Sequence, residues 1–282
     1  LEYNVKDVTL VEDLEDKLGL LELTYSMSYN AKCNYGDTFG MVKYWETIIY
    51  NFLKKQNIQT PPQKLDRSKQ HQIVGAYVKE PLVGKHDWVM SFDLNSLYPH
   101  LIMQYNISPE TILGTWQDDI GVEGLLYKEF DTSVWKEKDI TVTPNGSVYR
   151  KDKQGFLPKL MESMYDDRVK YKKLMIEEQK KGRNADPNKL SHYYNFQQNL
   201  KIALNSAYGA MGNQWFRYYD ERNAEAVSVA GQLSVQWAEN AVNNYLNTTL
   251  SAVNKDYIVA MDTDSLYVCL DDLVTKVGLT DT

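Results

Sequence analysis

The sequence is poor in cysteine, has no excess of basic residues and contains no long apolar run, and each shortage excludes a class of protein. Its two cysteines, Cys33 and Cys269, cannot form the disulfide framework of a small secreted domain, which favours a reducing compartment. No apolar run approaches the roughly 18 residues of a membrane span, so we expect no membrane partner. Because 31 Lys and Arg stand against 38 Asp and Glu, the net charge of −7 argues weakly against a protein that coats nucleic acid.

The chain also lacks an initial methionine and a basic leader followed by an apolar stretch, so we expect it to be a segment of a longer protein. Its 282 residues suggest about two domains of roughly 150 residues each. With 43% hydrophobic residues it can fill a hydrophobic core.

Apolar periodicity predicts an α+β chain of helices and antiparallel strands. We expect helices over 6–20, 41–55, 96–104, 158–181, 192–211 and 224–246, and strands over 73–78, 88–94, 257–260 and 265–270. The stripe Val42, Trp45, Ile49 and Phe52 predicts the buried face of the second helix, and residues 56–72 indicate a linker. Gly182 and Pro187 predict a turn that makes an αα-hairpin of the helices around it.

Three carboxylates stand out at predicted strand ends. Asp262 and Asp264 lie between two apolar strands and would share a face if the backbone were extended, where they would repel each other unless a cation lay between them. An ordinary surface turn, in which Asp is favoured, remains the alternative. Asp93 ends another apolar strand just before a helix, a position that suits either a metal ligand or a helix cap.

The αα-hairpin carries the basic charge of the chain. Residues 151–183 contain ten Lys and Arg against six Asp and Glu, a net +4 in an otherwise acidic protein. Arg168 and Lys172 share one helical face, and Lys201, Asn205 and Tyr208 share another. If the faces met they would form a clamp for a polyphosphate, and a solvated basic face is the alternative. We expect Asn205 to be buried, because the residues around it are apolar or small.

Together, a carboxylate cluster and a basic helix pair describe nucleotidyl transfer. Three carboxylates can hold two divalent cations, one activating a hydroxyl nucleophile and the other neutralising the leaving pyrophosphate. The basic helices would hold a triphosphate in line for the attack.

Three motifs in order resemble those of the family-B DNA polymerases. They are Asp93–Pro99 (DLNSLYP), Lys201–Gly209 (KIALNSAYG) and Asp262–Ser265 (DTDS). Two further segments, Asn106–Thr111 and Trp215–Asp220, are similar to the replicative polymerases of T-even-type tailed phages, a branch of that family. The resemblance covers essentially the whole chain.

The resemblance implies a role for each matching residue. Asp93, Asp264 and the Leu94 carbonyl would ligate two Mg²⁺ ions, which Asp262 would assist less directly. Incoming deoxynucleoside triphosphate would meet the backbone of Ser96 and Leu97, the ring of Tyr98, and the side chains of Arg168, Lys201, Asn205 and Tyr208. Tyr3 and Asp7 match a short proofreading-exonuclease motif whose Asp is a metal ligand.

The resemblance also implies a division into domains. We expect an exonuclease remnant at 1–19, a helical segment and linker at 20–64, a palm built from 65–154 and 214–282, and helical-hairpin fingers at 155–213. The thumb and most of the exonuclease would lie outside the chain, and we expect the isolated fragment to be inactive. The expected partners are primer–template DNA and, for the full protein, a sliding clamp and other replisome proteins in the cytoplasm of an infected bacterium.

One departure from the family pattern is Ala260-Met261, which replaces a Tyr-Gly before the carboxylates and must change the local packing.

Two other kinds of protein are alternatives to a polymerase. A metal-dependent glycosyltransferase can use Asp-x-Asp, but it leaves Asp93, Arg168 and Lys201 unexplained. A non-catalytic DNA-binding relic would have no need of intact Asp93, Asp264 and Lys201.

Overall fold

The computed structural model describes residues 2–63 and 72–278, which divide into two compact units. One unit comprises Leu1–Ser68 with Leu160–Tyr219, and the other comprises Lys69–Lys159 with Asp220–Thr282, each less the residues outside the described ranges. The predicted α+β class is confirmed, since helices accompany two antiparallel sheets. Within the described ranges no helix is both long enough and apolar enough to cross a membrane.

The helices of the described residues are numbered along the chain. They are α1 (Glu2–Leu18), α2 (Leu20–Ala31), α3 (Met41–Lys55), α4 (Leu97–Tyr105), α5 (Gly121–Leu126), α6 (Ser133–Glu137), α7 (Phe156–Gln179), α8 (Pro187–Met211), α9 (Glu221–Leu250) and α10 (Asp271–Val277). The strands are β1 (Val78–Lys79), β2 (Val89–Asp93), β3 (Ile112–Thr115), β4 (Ile140–Val142), β5 (Ser147–Arg150), β6 (Ile258–Asp262) and β7 (Ser265–Cys269).

Most predicted elements are present, and their ends follow local chemistry. The first predicted helix, 6–20, corresponds to α1, which ends at Leu18 because Gly19 adopts a left-handed conformation (φ 61°). The sequence analysis did not predict α2, which begins directly after Gly19. Asp186 caps α8 by accepting from the backbone N–H groups of Asn188 and Lys189, and Pro187 occupies the first turn. Of the predicted linker, residues 58–63 form neither helix nor strand, whereas 64–71 lie outside the described residues.

The strand predicted over 73–78 is wrong except at its last residue. The carbonyl of Val74 accepts from the Ser228 hydroxyl at 2.5 Å, and that of Gly75 accepts from the Gln232 amide at 2.7 Å. Side chains of α9 therefore take the hydrogen bonds that a neighbouring strand would need. Only Val78 and Lys79 pair with β6.

A four-stranded sheet in the order β1-β6-β7-β2 organises the second unit. All three pairings are antiparallel, and β2 lies at an edge with Asp93 opposite Ser265 and Val89 opposite Cys269. Helix α9 covers β6 and β7, so that Val235 and Leu246 of the helix form one core with Ile258, Met261, Leu266 and Val268. The strand that carries Asp93 is thus fixed by its pairing with a buried hairpin.

A second sheet, β3-β5-β4, lies beside a polar junction at the start of α7. Asn106 donates to the carbonyls of Arg150 and Lys153 (2.7 and 2.9 Å) and accepts from Gly155 N–H at 2.8 Å. Glu110 accepts from Phe156 N–H at 2.5 Å. The segment Asn106–Thr111, which sequence analysis linked to phage polymerases, therefore fixes the backbone that leads into α7.

In the first unit, α8 packs on α3 through buried polar contacts. The Trp45 indole donates to the Ala203 carbonyl at 3.2 Å and to the Ser206 hydroxyl at 3.1 Å. The predicted stripe on α3 is partly wrong, since Trp45 and Ile49 are buried but Val42 and Phe52 are only half-buried. Leu53 and Tyr44 complete the buried face instead. The face of α8 that holds Ala203 and Ser206 is therefore its packed face.

We predict that Gly155→Ala lowers stability by roughly 1–3 kcal/mol, because an added methyl group overpacks the junction. A Cβ at this buried position would lie 2.6 Å from Ser108 Cβ and 3.0 Å from Thr111 Cγ2. Urea unfolding measures the change. Gly75→Ala is the matched control, since a Cβ there meets nothing within 4 Å. Equal unfolding midpoints for the two variants would contradict a close-packed junction.

Candidate metal and nucleotide site

Pairing of β2 with β7 brings Asp93 and Asp264 to the same sheet end. Asp93 is the last residue of β2, and its pairing partner Ser265 directly follows Asp264. The Ser265 hydroxyl lies 3.4 Å from Asp93 Oδ2 and 3.4 Å from Asp264 Oδ1, so these two oxygens are no more than about 7 Å apart. Leu94 N–H donates to the Asp264 carbonyl at 2.8 Å, which extends the pairing beyond the strand.

Asp262 does not share a strand face with Asp264, which the sequence predicted for extended backbone. It is the last residue of β6 and is exposed, and Thr263 between the two carboxylates has φ 52°. Asp262 and Asp264 are therefore not related by the alternation of an extended strand. A β-branched residue in the left-handed region stores strain of about 1–3 kcal/mol. Thr263 is held there by donating its N–H to Tyr77 O (3.0 Å) and its hydroxyl to Asp262 Oδ1 (2.9 Å).

The electrostatics around Asp264 favour a bound cation. Partial burial raises the pKa of the Asp264 carboxyl above its ordinary value, and the negative charge of Asp93 raises the pKa further. Carboxylate and carbonyl oxygens are the donors that Mg²⁺ and other hard cations prefer. A divalent cation near Asp93 and Asp264 would remove their repulsion, so this donor set fits the metal that sequence analysis expects.

The start of α4 places the rest of the first motif beside these carboxylates. Ser96 precedes the helix in a left-handed conformation (φ 55°), Leu97 is buried against Ala230, and Tyr98 is half-buried. The Tyr98 ring lies over Gly231 of α9, where an added Cβ would be 3.0 Å from the ring. Gly231 was not among the predicted site residues, although a lone glycine inside a predicted helix is a signal of close packing.

Lys201, Asn205 and Tyr208 share the side of α8 that faces away from α3. Lys201 and Asn205 are exposed and Tyr208 is half-buried, whereas Ala203 and Ala207 are buried. The expectation that Asn205 is buried is wrong, because the small residues around it cover the opposite side of the helix. Helix α8 therefore has a buried side that fixes the helix and a polar side whose side chains can contact a ligand.

Arg168 lies half-buried on α7, the other helix of the predicted hairpin, and Lys172 one turn further on is exposed. The two helices contact each other through Tyr171 of α7, whose ring centroid is 4.0 Å from that of Phe196 on α8. At the turn, buried Glu178 accepts from Asp186 N–H at 2.8 Å. The αα-hairpin is therefore confirmed, while the clamp stays a prediction.

Tyr3 and Asp7 lie one turn apart on α1, a helix without a buried residue, and both are exposed. Met261, at the place where sequence analysis notes a departure from the family, is buried between Ile258 and Leu266 in the core of the sheet. The side chain of Met261 thus belongs to the hydrophobic core that the sheet shares with α9.

Comparisons with known proteins identify the family to which the chain belongs. A sequence model of DNA polymerase family B matches residues 40–277. The DNA-directed DNA polymerase of Escherichia phage RB69 is 33% identical over 99% of this chain and 35% of its own length. That of Enterobacteria phage T4 is 34% identical over the same shares. The chain therefore belongs to DNA polymerase family B.

A solved structure supports the fold independently. The family B DNA polymerase of the archaeon Pyrobaculum calidifontis superposes with a TM-score of 0.63 at 23% identity, over 94% of this chain and 31% of the archaeal one. The predicted family resemblance is confirmed by the family model and the two phage relatives. The chain spans about a third of the length of the phage relatives that it matches.

We predict that Asp264→Asn makes the metal-free chain more stable at neutral pH, because it removes a carboxylate that burial and Asp93 disfavour. A carboxyl whose pKa is higher in the folded chain than in the unfolded chain lowers the stability of the fold at pH values above the ordinary carboxyl pKa range. At pH values below that range it has no such effect. The gain should therefore appear above that range and vanish in acid. Thermal unfolding of wild type and variant in a chelator, as a function of pH, measures it. A variant that is less stable at neutral pH would contradict the repulsion.

Proposed function

We propose that the chain supplies the palm and fingers of a DNA polymerase that performs template-directed DNA synthesis. The reaction is attack of a primer 3′-hydroxyl on the α-phosphate of a deoxynucleoside triphosphate, with release of pyrophosphate. The observation that carries the proposal is the junction of β2 and β7, where Asp93 and Asp264 share the hydroxyl of Ser265. Membership of DNA polymerase family B supports the same chemistry.

The chain's own groups would hold and orient the reactants. Asp93, Asp264 and the Leu94 carbonyl would bind two Mg²⁺ ions, with Asp262 assisting from the end of β6. When bound, such ions lower the pKa of a hydroxyl and neutralise charge on a leaving phosphate. Ser96 and Leu97 would present backbone to the triphosphate, since they begin α4 and free N–H groups at a helix start favour anions.

The αα-hairpin would supply the positive charge. Arg168 on α7 and Lys201 on α8 would grip the phosphates, and Asn205 and Tyr208 would line the nucleotide site on the exposed side of α8. In this proposal the palm comprises 65–154 and 214–282, the fingers comprise 155–213, and residues 20–64 are a helical segment and linker. Primer–template DNA is the expected partner, and a sliding clamp and other replisome proteins would join the whole enzyme in the infected bacterium.

Residues 1–19 would be the remnant of a 3′–5′ exonuclease, with Asp7 as a ligand of its metal. Tyr3 and Asp7 are both exposed on α1. A glycosyltransferase is disfavoured because its nucleotide site would not need Asp93 opposite the Asp264 turn.

The direct test is DNA synthesis by a polymerase that carries this chain. We predict that Asp93→Asn abolishes primer extension while the protein remains folded, because one amide replaces a metal-binding charge. Asp119→Asn, which changes an exposed carboxylate elsewhere in the same unit, is the control and should extend the primer like wild type. Wild-type kcat in the Asp93 variant would refute the metal assignment.

We predict that Lys201→Ala lowers kcat/KM for deoxynucleotides by roughly tenfold to 100-fold. The loss of a charge-assisted hydrogen bond costs about 1.5–3 kcal/mol. Steady-state incorporation of each deoxynucleotide on a primed template measures the effect. Lys189→Ala removes an exposed lysine near the start of α8 and should leave kcat/KM unchanged. If the two variants behave alike, Lys201 is a solvated charge.

We predict that Tyr98→Ala improves ribonucleotide incorporation, relative to deoxynucleotides, by very roughly 10²- to 10⁴-fold. The ring, wedged against Gly231, would leave no room for a 2′-hydroxyl. Overpacking and an unsatisfied hydroxyl each cost about 1–3 kcal/mol.

Tyr98→Phe is the control for that experiment, since it keeps the ring and should keep the sugar preference. Competition between a ribonucleotide and its deoxy counterpart gives the ratio for each variant. An unaltered ratio in Tyr98→Ala, with a lower melting temperature, would mean that Tyr98 only packs the core.

A further inference from the structure

A second group of metal-ligand side chains lies at the opposite end of the β2–β7 pair. One ring nitrogen of His86, the sulfur of Cys269 and a carboxylate oxygen of Asp271 all lie within 4.8 Å of one another. All three residues are half-buried. Cys269 pairs with Val89, four positions from the Asp93–Ser265 pair, so the two groups are separated by roughly 13 Å along the strands.

Hydrogen bonds to backbone groups hold the side chains of Asp271 and His86, and strand pairing with Val89 holds Cys269. Asp271 Oδ1 accepts from Trp88 N–H at 2.7 Å, and Leu270 N–H donates to the Trp88 carbonyl at 2.8 Å. The segment before β2 and the segment after β7 are therefore locked together. His86 Nε2 lies 3.0 Å from the Leu82 carbonyl. Because a carbonyl can only accept, Nε2 of the neutral ring carries the proton and the free lone pair lies on Nδ1.

We propose that His86, Cys269 and Asp271 form a binding site for a borderline divalent cation of the Zn²⁺ class. A thiolate, an imidazole and a carboxylate suit Zn²⁺ or Co²⁺, whereas Mg²⁺ prefers the all-oxygen set at Asp93 and Asp264. Three protein ligands leave a fourth position for water. Zn–S and Zn–N bonds of about 2.3 and 2.0 Å place ligands closer than 4.8 Å, so the side chains would draw in by roughly 1 Å on binding.

The charges around the group permit this assignment. Lys255, whose charge reaches Cys269, is engaged by Asp272 at 2.5 Å, and Lys85 is engaged by Asp87 at 2.8 Å. Burial and the neighbouring Asp271 carboxylate raise the pKa of the Cys269 thiol, and binding of a cation to the thiolate releases the thiol proton to solvent. A cation here would tie the loop before β2 to the start of α10 and so restrain the strands that carry Asp93 and Asp264.

Co²⁺ is the probe, because a thiolate ligand gives it a near-ultraviolet charge-transfer band. We expect one equivalent of Co²⁺ to produce this band in the purified chain, Zn²⁺ to abolish it and excess Mg²⁺ to leave it unchanged. Cys269→Ser should abolish the band, and His86→Gln should weaken Co²⁺ binding by at least about tenfold.

Two matched variants separate this site from other sources of signal. Cys33→Ser removes the other half-buried cysteine and should keep the band, and so should the Asp93→Asn, Asp264→Asn double variant. Absence of the band in wild type, its persistence in Cys269→Ser, or its loss in Cys33→Ser would each overturn the proposal. Circular dichroism establishes that every variant is folded. None of these outcomes depends on polymerase activity.

Discussion

Antiparallel pairing between β2 and β7 is the interaction on which the candidate site depends. It sets Asp93 opposite Ser265 and thereby fixes two carboxylates that are far apart in the sequence. Strand β2 is an exposed edge, so β7 and the core beneath it do the positioning. Partial burial and the negative charge of Asp93 together raise the pKa of Asp264, which is the electrostatic consequence of this arrangement. A fold that holds like charges together without a cation is poised to bind one.

The surrounding elements serve this arrangement by close packing. Gly231 lets the Tyr98 ring approach α9, and Met261 fills part of the core between α9 and the sheet. The left-handed Thr263 turns the chain sharply enough for Asp264 to face Asp93, and its strain is offset by hydrogen bonds to Tyr77 and Asp262. At the start of α7, the Asn106 side chain fixes the chain by hydrogen bonds to the Arg150 carbonyl and the Gly155 N–H group.

Periodicity and turn chemistry predicted the long helices and the β6–β7 pair, because those signals are local. The failures have physical causes that are not local. Residues 73–78 contain Ile, Val and Tyr and were predicted as a strand, but the carbonyls of Val74 and Gly75 accept hydrogen bonds from Ser228 and Gln232 instead of from a neighbouring strand. Asn205 was expected to be buried from its neighbours in sequence, yet the direction of the α3 contact exposes it. The group around His86, Cys269 and Asp271 joins distant segments, so no sequence spacing could have indicated it.

The central claim is that Asp93 and Asp264 together bind a divalent cation. Anomalous X-ray scattering from Mn²⁺ diffused into crystals of the chain, with a deoxynucleoside triphosphate present, tests it most directly. The account predicts an anomalous peak within ligand distance, about 2.0–2.3 Å, of carboxylate oxygens from both residues. Mn²⁺ that binds only elsewhere, with Asp93 and Asp264 without a metal, would contradict it.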